Sequence, residues 1–540
     1  MTDLDPTRAN SDDGTVAPAG DARREQRLAV LLSMAMFVLV VDTSLMNVSI
    51  SAVVEDLGTT VSGVQSAIAL EALVSAAFIL IGSKVGDLVG RKRAYVLGLL
   101  GYAVGAIAMT LAQGLVAVIV FWAVVGGLGA SLLLPAMQSL IHGNFTGEAQ
   151  KKAYAMVGAA AAIAAAVGPL LGGAITTYLS WRIGFLLEAV IIAVVLAGLG
   201  LVRDAPYTGS RATDPIGGVL SVLGMGGVVL GILVWQEGGE SVAALLVIGV
   251  VGLAALVVWL RRRNRAGRTT LIDPGLFSSP VFRLGISQQL LQQVALGGLM
   301  ISLPIFLQMV LEYDALGAGL SIAPLSLSMF ALALLAGRRS AGRPSRIVRL
   351  GFALLLVGTV ALLPIVPRAE SGWSLLVPLL VAGSGLGLLV SQLNNYTLSP
   401  ISEERVSEAA GVNSAGGSFG LSFGLAFAGA IMLATLSATF TEMARDSSVL
   451  DPAEQEQVAD ALEHDAQVMT NTRLDELLAG QPEATADEIV RINNDARPRA
   501  LQVALLVPIL AALCGLLNAF RMARQPEPTP SDPSDGVPLG

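Results

Sequence analysis

The chain has 540 residues, of which 54% are hydrophobic and only 14% are charged, and its mean hydropathy is +0.70. A soluble domain of this size does not tolerate so much apolar surface, so the composition predicts an integral membrane protein. The net charge of −8 says little about partners, because the charges are segregated into loops. The single cysteine, Cys514, excludes an intrachain disulfide, and with only two distant histidines, His142 and His464, neither a metal site nor a catalytic site is predicted.

Apolar runs long enough to cross a bilayer recur along the whole chain. A hydrocarbon core of about 30 Å needs roughly 20 residues of helix, and about fourteen runs reach that length. Outer-membrane strands alternate apolar and polar residues, which these runs do not, so the predicted fold class is all-α. In chain order, the predicted helices 1 to 14 have apolar cores at 28–50, 62–82, 94–115, 116–141, 154–178, 184–202, 217–235, 242–260, 284–311, 319–337, 347–366, 374–392, 420–438 and 500–520.

Basic residues follow the even-numbered predicted helices. The stretch "RRRNRAGR" follows helix 8, and five arginines lie between residues 338 and 349 after helix 10. The short odd connections, such as "VEDLGTT" and "WQEGGES", are not basic. The positive-inside rule therefore predicts that both termini of this multi-pass protein are cytoplasmic. The low Lys count beside abundant Arg, Ala and Gly is typical of a GC-rich bacterial genome, so the expected location is the bacterial inner membrane.

Three polar segments lie outside the predicted helices. The two ends, 1–27 and 522–540, are polar, Pro-rich or acidic, and are predicted to be disordered cytoplasmic tails. The large external segment 441–498 contains 14 acidic and 4 basic residues. Its stretch "DPAEQ" has the pattern of a helix start, so we expect a small acidic helical cap. It is interpreted as a solvated insertion, with substrate capture as the alternative.

The loop between helices 2 and 3 reads "SKVGDLVGRKRAYVLG". It resembles the signature loop of the major facilitator superfamily through Asp87, Gly90, Arg91 and Lys92. Gly90 permits a tight turn, and Asp87 can accept bonds from basic residues or from a helix N-terminus. The loop is therefore expected to act as a gating latch between two helix bundles on the cytoplasmic side.

Three further stretches are similar to the fourteen-helix drug:proton antiporter branch of that superfamily. They are "VVDTSLMNVSIS" in helix 1, "GPLLGGAITTYLSWRIGFLLEA" in helix 5 and beyond, and "LIDPGLFSSPVFRLG" before helix 9. The second contains residues that match the antiporter motif, Gly168, Pro169, Gly172 and Gly173. The resemblance implies a major-facilitator fold: six-helix bundles at 28–203 and 284–521, two inserted helices and a basic loop at 204–283, and alternating access around a central cavity.

Helix 4 departs from the branch at a position that bears on proton coupling. The family pattern R-x-x-Q-G-x-G places Ala123 where an arginine belongs and Gly126 where a glutamine belongs. In relatives that arginine is thought to help manage the proton near the helix 1 acid, so the family's scheme does not transfer intact. Conversely, Glu71 stands at a position that is usually Tyr, and Glu188 at one that is usually Asn.

Three acids, Asp42, Glu71 and Glu188, are predicted to share one layer of the N-terminal bundle. At about 1.5 Å per residue, each falls roughly 10 to 18 Å from the outer end of its helix. An intramembrane acid costs several kcal/mol and normally faces a cavity, a partner or a pathway. The hypothesis is that these acids exchange protons and, when ionised, attract a cationic substrate. The alternative is permanently protonated acids that bond across helices; Glu188 is the weaker candidate because helix 6 is peripheral in the family's plan.

Helix 9 contains the stretch "SQQLLQQ". Gln288 and Gln292 share one helical face, next to that of Gln289 and Gln293, which gives a polar stripe about 100° wide. Together with Asn47 of helix 1, Gln288 and Gln292 are predicted to line the substrate cavity. The alternative is that the glutamines hold helices together.

The predicted function is proton-coupled efflux of a hydrophobic compound, with a cation as the favoured class. The predicted partners are a small-molecule substrate, protons and the bilayer, without nucleic acid; the protein is expected to be a monomer, not an enzyme, and to need no cofactor. The sequence contains no G-x-x-x-x-G-K-[ST] motif for ATP. The alternatives are a dedicated metabolite, lipid or self-resistance exporter, an uncoupled facilitator, and a transport-inactive membrane sensor or scaffold.

Overall fold

A computed structural model describes residues 19–204, 214–236, 239, 241–338, 344–401, 403–450, 455, 478 and 482–525. Every regular element in these ranges is a helix, and fourteen helices are long and apolar enough to span a membrane. The predicted all-α membrane fold is therefore confirmed. Helices are the expected solution, because backbone groups in hydrocarbon must find their hydrogen bonds within the segment itself.

The fourteen membrane helices, α1 to α14, follow the predicted order. Their bounds are Ala19–Val48, Val61–Val89, Arg91–Thr110, Leu115–Asn144 (α4), Gly147–Tyr178, Trp181–Ala197, Pro215–Gln236, Val242–Arg265, Pro280–Met309, Ala315–Arg338, Pro344–Ile365, Leu376–Leu398, Glu403–Arg445 and Glu483–Met522 (α14). Within α4, the segment Val118–Gly126 is π-helical. A turn at Leu505 divides α14 into Glu483–Ala504 and Leu506–Met522.

Local sequence explains several helix ends. Pro215, Pro280 and Pro344 are first residues of their helices, where the missing N–H costs nothing. Gly90 ends α2 with φ = +102°, a conformation that disfavours residues with a Cβ atom. A bend at Ser49 separates α1 from the short helix Ile50–Leu57.

The helices pack as two bundles with a pair of helices beside them. In the first, α1 packs on α5, while α4 and α6 pack on α3, and α2 packs on α4. In the second, α9 packs on α13 and α14, and α12 packs on α10 and α11. The inserted helices α7 and α8 pack on each other, and α7 also contacts α2 and α13. The bundles meet through α2 with α13 and through α5 with α10, so most of the contact between the two halves lies on these four helices.

Two helices are longer than their apolar cores. The 43 residues of α13 correspond to about 64 Å of helix, twice the thickness of the hydrocarbon core. Likewise α14 begins at Glu483, well before the predicted core at 500, so the predicted external segment begins and ends in helix. The hydroxyl of Ser447, two residues beyond the end of α13, donates to Oε1 of Glu488 in α14 (2.6 Å) and joins the outer parts of the two helices. Hydropathy detects only the lipid-embedded part of a helix, which is why the extensions were missed.

Some predictions lie outside the described residues. These are most of both predicted tails, at 1–18 and 526–540, and the helix start "DPAEQ" except for Gln455. The domain boundaries at 203 and 283 stay predictions. Below, the inner side is the side of the membrane on which the N-terminal end of α1 and the C-terminal end of α14 lie, and the outer side is the opposite one.

Candidate functional site

Asp42 lies at the centre of the N-terminal bundle. Its side chain, on α1, is completely buried. The hydroxyl of Tyr102 on α3 donates to Oδ2 of Asp42, and Nε1 of Trp122 on α4 lies 2.9 Å from both carboxylate oxygens. Both donors are neutral, so they satisfy the carboxylate without cancelling its charge.

The π-helical segment of α4 carries Trp122. Such segments are rare and occur frequently at functional sites, because the extra residue changes the helical register. The indole packs edge-on against Phe185 of α6, with ring centroids 6.2 Å apart. Phe185 in turn packs edge-on against Trp181 at 5.9 Å. These aromatic contacts fix the orientation in which Trp122 donates to Asp42.

Glu71 joins the same region from α2. It is 8% exposed and interacts electrostatically with Asp42. Its part of α2 lies close against α4, since a Cβ atom at Gly127 would come within 2.9 Å of the Glu71 carbonyl oxygen and 3.0 Å of Val74 Cβ. The absence of a side chain at Gly127 therefore allows the helix crossing that brings Glu71 into the bundle.

Glu188 completes a cluster of three acids, which we call the acid cluster: Asp42, Glu71 and Glu188. The side chain of Glu188, on α6, is 2% exposed and interacts electrostatically with Asp42 and Tyr102. Neither of its carboxyl oxygens has a hydrogen-bond partner among the described residues. Although helix 6 is peripheral in the family's plan, Glu188 faces the interior of this bundle.

The stretches of helix around the acid cluster carry no lysine or arginine. The sequence contains neither Lys nor Arg in 28–83, 94–150 or 183–202. Ala123, at which the resemblance predicts an arginine, is completely buried. Asp42 is therefore bound by the neutral donors of Tyr102 and Trp122 rather than by a cation. Sequence reasoning missed both residues. The sequence did offer a signal for them, because each has an O–H or N–H donor within an otherwise apolar run.

The three residues predicted to line the substrate cavity are buried among the packed helices. Asn47 is buried; its Nδ2 donates to the carbonyl of Thr43 (2.8 Å). Gln288 is also buried, and its Nε2 donates to the carbonyl of Gly515 on α14 (3.0 Å). Gln292 is buried on the same face of α9. Gln288 thus holds α9 to α14, apart from the acid cluster, and a role of these residues in substrate binding stays a prediction.

The predicted gating loop is bound to its own bundle. Lys92 Nζ donates to the carbonyl of Val202 (2.8 Å), and its backbone N–H donates to Oδ1 of Asp204 (3.2 Å). Both acceptors follow α6. Gly90 makes the turn that precedes Arg91, the first residue of α3. Asp87 lies in α2, but its side chain is outside the described part of the structure, so the latch between bundles stays a prediction.

The antiporter motif gives α5 two close contacts. On one face, a Cβ atom at Gly168 would lie 2.6 Å from Ser44 Cβ, and one at Gly172 would lie 2.7 Å from Leu45 Cα. Both Ser44 and Leu45 belong to α1, so these glycines allow α5 to pack tightly on the helix that carries Asp42.

The other face of the motif meets the second bundle. A Cβ atom at Gly173 would lie 2.5 Å from the carbonyl oxygen of Ala315 on α10, and one at Gly319 would lie 2.3 Å from that of Pro169. The N–H of Leu316 also donates to the hydroxyl oxygen of Thr177 (3.1 Å). The motif therefore forms the outer contact between the bundles.

The residues after the motif hold the outer ends of the first bundle together. Nε1 of Trp181 donates to Oδ2 of Asp56 (2.9 Å), and Arg182 forms an ion pair with the same carboxylate. Arg182 Nη2 also donates to the carbonyl of Ala112 (2.6 Å). These contacts fix α6 against the short helix Ile50–Leu57 and against the outer end of α3.

Solved transporters share this fold. A bacterial homologue of the human lysosomal transporter Spinster, in an inward-facing and unoccupied conformation, has a TM-score of 0.60 at 13% identity, covering 93% of this chain and 98% of that one. A peptide transporter in complex with sulfate has a TM-score of 0.56 at 15% identity, covering 86% and 95%. At these identities the likeness concerns the fold alone.

Sequence relatives cover most of the chain. A puromycin resistance protein of Streptomyces alboniger is 30% identical over 74% of this chain and 81% of its own. The multidrug resistance protein Stp of Mycobacterium tuberculosis is 28% identical over 81% and 82%. A probable actinorhodin transporter of Streptomyces coelicolor is 27% identical over 75% and 72%. The family model described as Major Facilitator Superfamily matches residues 32–235 and 210–425, and the protein belongs to this superfamily.

Proposed function

We propose that the protein is an efflux transporter that uses inward proton flow to expel a hydrophobic, cationic compound by alternating access. Membership of the superfamily and relatives named for drug and antibiotic resistance support efflux. The observation that carries the proton coupling is the acid cluster, a set of three buried carboxyl groups without a basic residue. The basic inner loops and the bacterial relatives support an inner-membrane location with cytoplasmic termini.

The acid cluster is suited to exchanging protons. Three neighbouring carboxylates cannot all stay ionised in a low-dielectric interior, because their charges repel and each loses its hydration. Tyr102 and Trp122 stabilise one carboxylate, Asp42, with hydrogen bonds that leave its negative charge uncompensated. Protons from the outer side and a cationic substrate from the inner side can then compete for the same negative charge, which is the requirement for antiport.

The acid cluster is connected to both contacts between the bundles. Glu71 lies two residues from Ala69, whose carbonyl accepts a hydrogen bond from Ser422 of α13 (2.7 Å). Asp42 lies two residues from Ser44, which packs on Gly168 of α5, and α5 contacts α10. A change of charge in the cluster therefore acts on the helices whose movement opens and closes the cavity.

The decisive assay uses purified protein in liposomes with an imposed proton gradient, an internal pH dye, and lipophilic cations beside neutral analogues. We expect cation-dependent proton movement in the wild type and its loss in Asp42→Asn and Glu71→Gln. The matched control is Glu55→Gln, which removes an exposed outer acid and should change nothing. Substrate flux without proton movement would make the protein a facilitator. Absence of any flux would favour a sensor or scaffold.

A second candidate is a dedicated exporter of one metabolite, such as an antibiotic. It is favoured by the relatives named for actinorhodin transport and puromycin resistance. The same liposomes distinguish the two candidates: a multidrug transporter is inhibited by many unrelated cations, whereas a dedicated exporter shows competition only among close analogues of one compound.

A further inference from the structure

A pocket of about 360 Å³ opens between α9 and α14 at the inner side of the second bundle. It is separate from the acid cluster, which lies in the first bundle. The pocket is lined by Pro280, Arg283, Leu284 and Ser287 of α9, and by Arg521 and Gln525 at the end of α14. Its walls are fixed to each other, because Nδ2 of Asn518 donates to the hydroxyl oxygen of Ser287 (2.6 Å).

Two guanidinium groups in this pocket have no acidic partner among the residues that the structure describes. Arg283 and Arg521 are exposed, and none of the ion pairs among the described residues includes either of them. A third guanidinium, that of Arg349 on α11, lies over the ring of Phe520 at 5.5 Å. The inner end of α14 is therefore surrounded by positive charge that the described chain does not neutralise.

The pocket also lies at the end of a lipid-facing surface. Leu510, Leu513, Leu517 and Phe520 are exposed along one face of α14, at spacings of three or four residues. In a membrane protein such a stripe faces acyl chains. It leads directly to Arg521, so the pocket lies where the hydrocarbon ends and the inner headgroup region begins.

We propose that this pocket binds the phosphate headgroup of an anionic phospholipid in the inner leaflet. Arginine pairs with phosphate through parallel N–H donors, and basic pockets between membrane helices on this side are suited to anionic headgroups. Gln525 supplies a further polar group, while Pro280 and Leu284 offer an apolar wall to the upper part of an acyl chain. The bound lipid bridges α9 and α14 and stabilises the second bundle.

The experiment measures lipid retention by the full chain with native mass spectrometry, after incubation with phosphatidylglycerol and phosphatidylcholine of equal chain length. We expect one phosphatidylglycerol to be retained in preference. Combining Arg283→Gln with Arg521→Gln should lower that preference by about tenfold or more. The matched control combines Arg261→Gln with Arg265→Gln, which removes two exposed inner arginines outside the pocket and should leave the preference intact. If the double variant does not fold, each single variant should show about a threefold loss.

Four results would overturn the proposal. An unchanged preference in the pocket variant, or an equal loss in the control, would mean that no specific site exists. Displacement of the lipid by millimolar inorganic phosphate would identify a soluble anion as the ligand. A tenfold gain in lipid binding after truncation behind Gln525 would identify the acidic segment 526–540 as the occupant, whereas we expect truncation to have no effect.

Discussion

The indole of Trp122 donates to the carboxylate of Asp42 across the contact between α4 and α1, with Nε1 2.9 Å from each oxygen. Ala123, the next residue, stands where the resemblance of helix 4 to the drug:proton antiporter branch predicts an arginine. A neutral donor thus binds the helix 1 acid immediately beside the residue at which that resemblance predicts a cation. The contribution of this hydrogen bond to stability can therefore be measured separately from its contribution to transport.

Replacing Trp122 with Phe should destabilise the protein. The substitution keeps an aromatic ring against Phe185 but removes the N–H, so a buried carboxylate loses a donor, at a cost of about 1–3 kcal/mol. The free energy of unfolding in detergent measures this cost. In an Asp42→Asn background the same substitution should cost less, because no carboxylate remains to be satisfied. Additive effects in this double-mutant cycle would show that the hydrogen bond contributes nothing.

Replacing Glu188 with Leu should have the opposite effect on stability. Both carboxyl oxygens of Glu188 are buried without a partner among the described residues, so an apolar side chain of similar size should raise the free energy of unfolding by about 1–3 kcal/mol. Proton movement per substrate should fall if Glu188 exchanges protons. Glu188→Gln serves as the matched control for volume. A destabilised Leu variant would indicate that the carboxyl group has a partner, such as a buried water molecule.

The membrane helices and the layer of acids could be predicted because both depend on properties that a sequence displays. Apolar length identifies a membrane span, and counting residues from its outer end places Asp42, Glu71 and Glu188 at one depth. The partners of Asp42 could not be predicted in this way. Trp122 contributes to an apolar run, and its orientation depends on a π-helical segment whose register follows from packing.

The orientation of Gln288 could not be predicted for a related reason. Helical periodicity shows that it shares a face with Gln292, but which neighbour that face meets is decided by tertiary packing. The structure places Gln288 against Gly515 of α14. The extensions of α13 and α14 were missed because their residues are polar, and polar helical turns carry no hydropathy signal.

Replacing Gly173 with Val should shift the protein toward outward-open states. A Cβ atom there would lie 2.5 Å from the carbonyl oxygen of Ala315, so the outer contact between α5 and α10 cannot close as it does here. Spin labels at the exposed outer residues Glu55 and Glu370, in a Cys514→Ala background, report the separation of the bundles by double electron–electron resonance. We expect a longer distance and reduced transport.

Gly158 provides the matched control for that experiment. It lies on the same helix, and a Cβ atom there would have nothing within 4 Å. Gly158→Val should therefore leave the distance distribution and transport close to those of the wild type. The interpretation of Gly173 as a contact that closes the outer side would be wrong if both variants gave the same distances.

Replacing Gln308 with Ala should weaken the outer contact by a different route. Oε1 of Gln308 on α9 accepts two hydrogen bonds from Ser51 of the first bundle, one from the backbone N–H (2.9 Å) and one from the hydroxyl (2.6 Å). Without this acceptor, the half-buried N–H of Ser51 loses its partner while the outer side is closed, whereas water can reach it when that side opens. The lost bond is worth about 1–3 kcal/mol, which shifts the ratio of closed to open states roughly 5- to 150-fold.

The same pair of spin labels measures the shift. Gln113→Ala, at an exposed outer glutamine, should leave the ratio unchanged, and an equal ratio in both variants would mean that the bond to Ser51 does not stabilise the closed outer side.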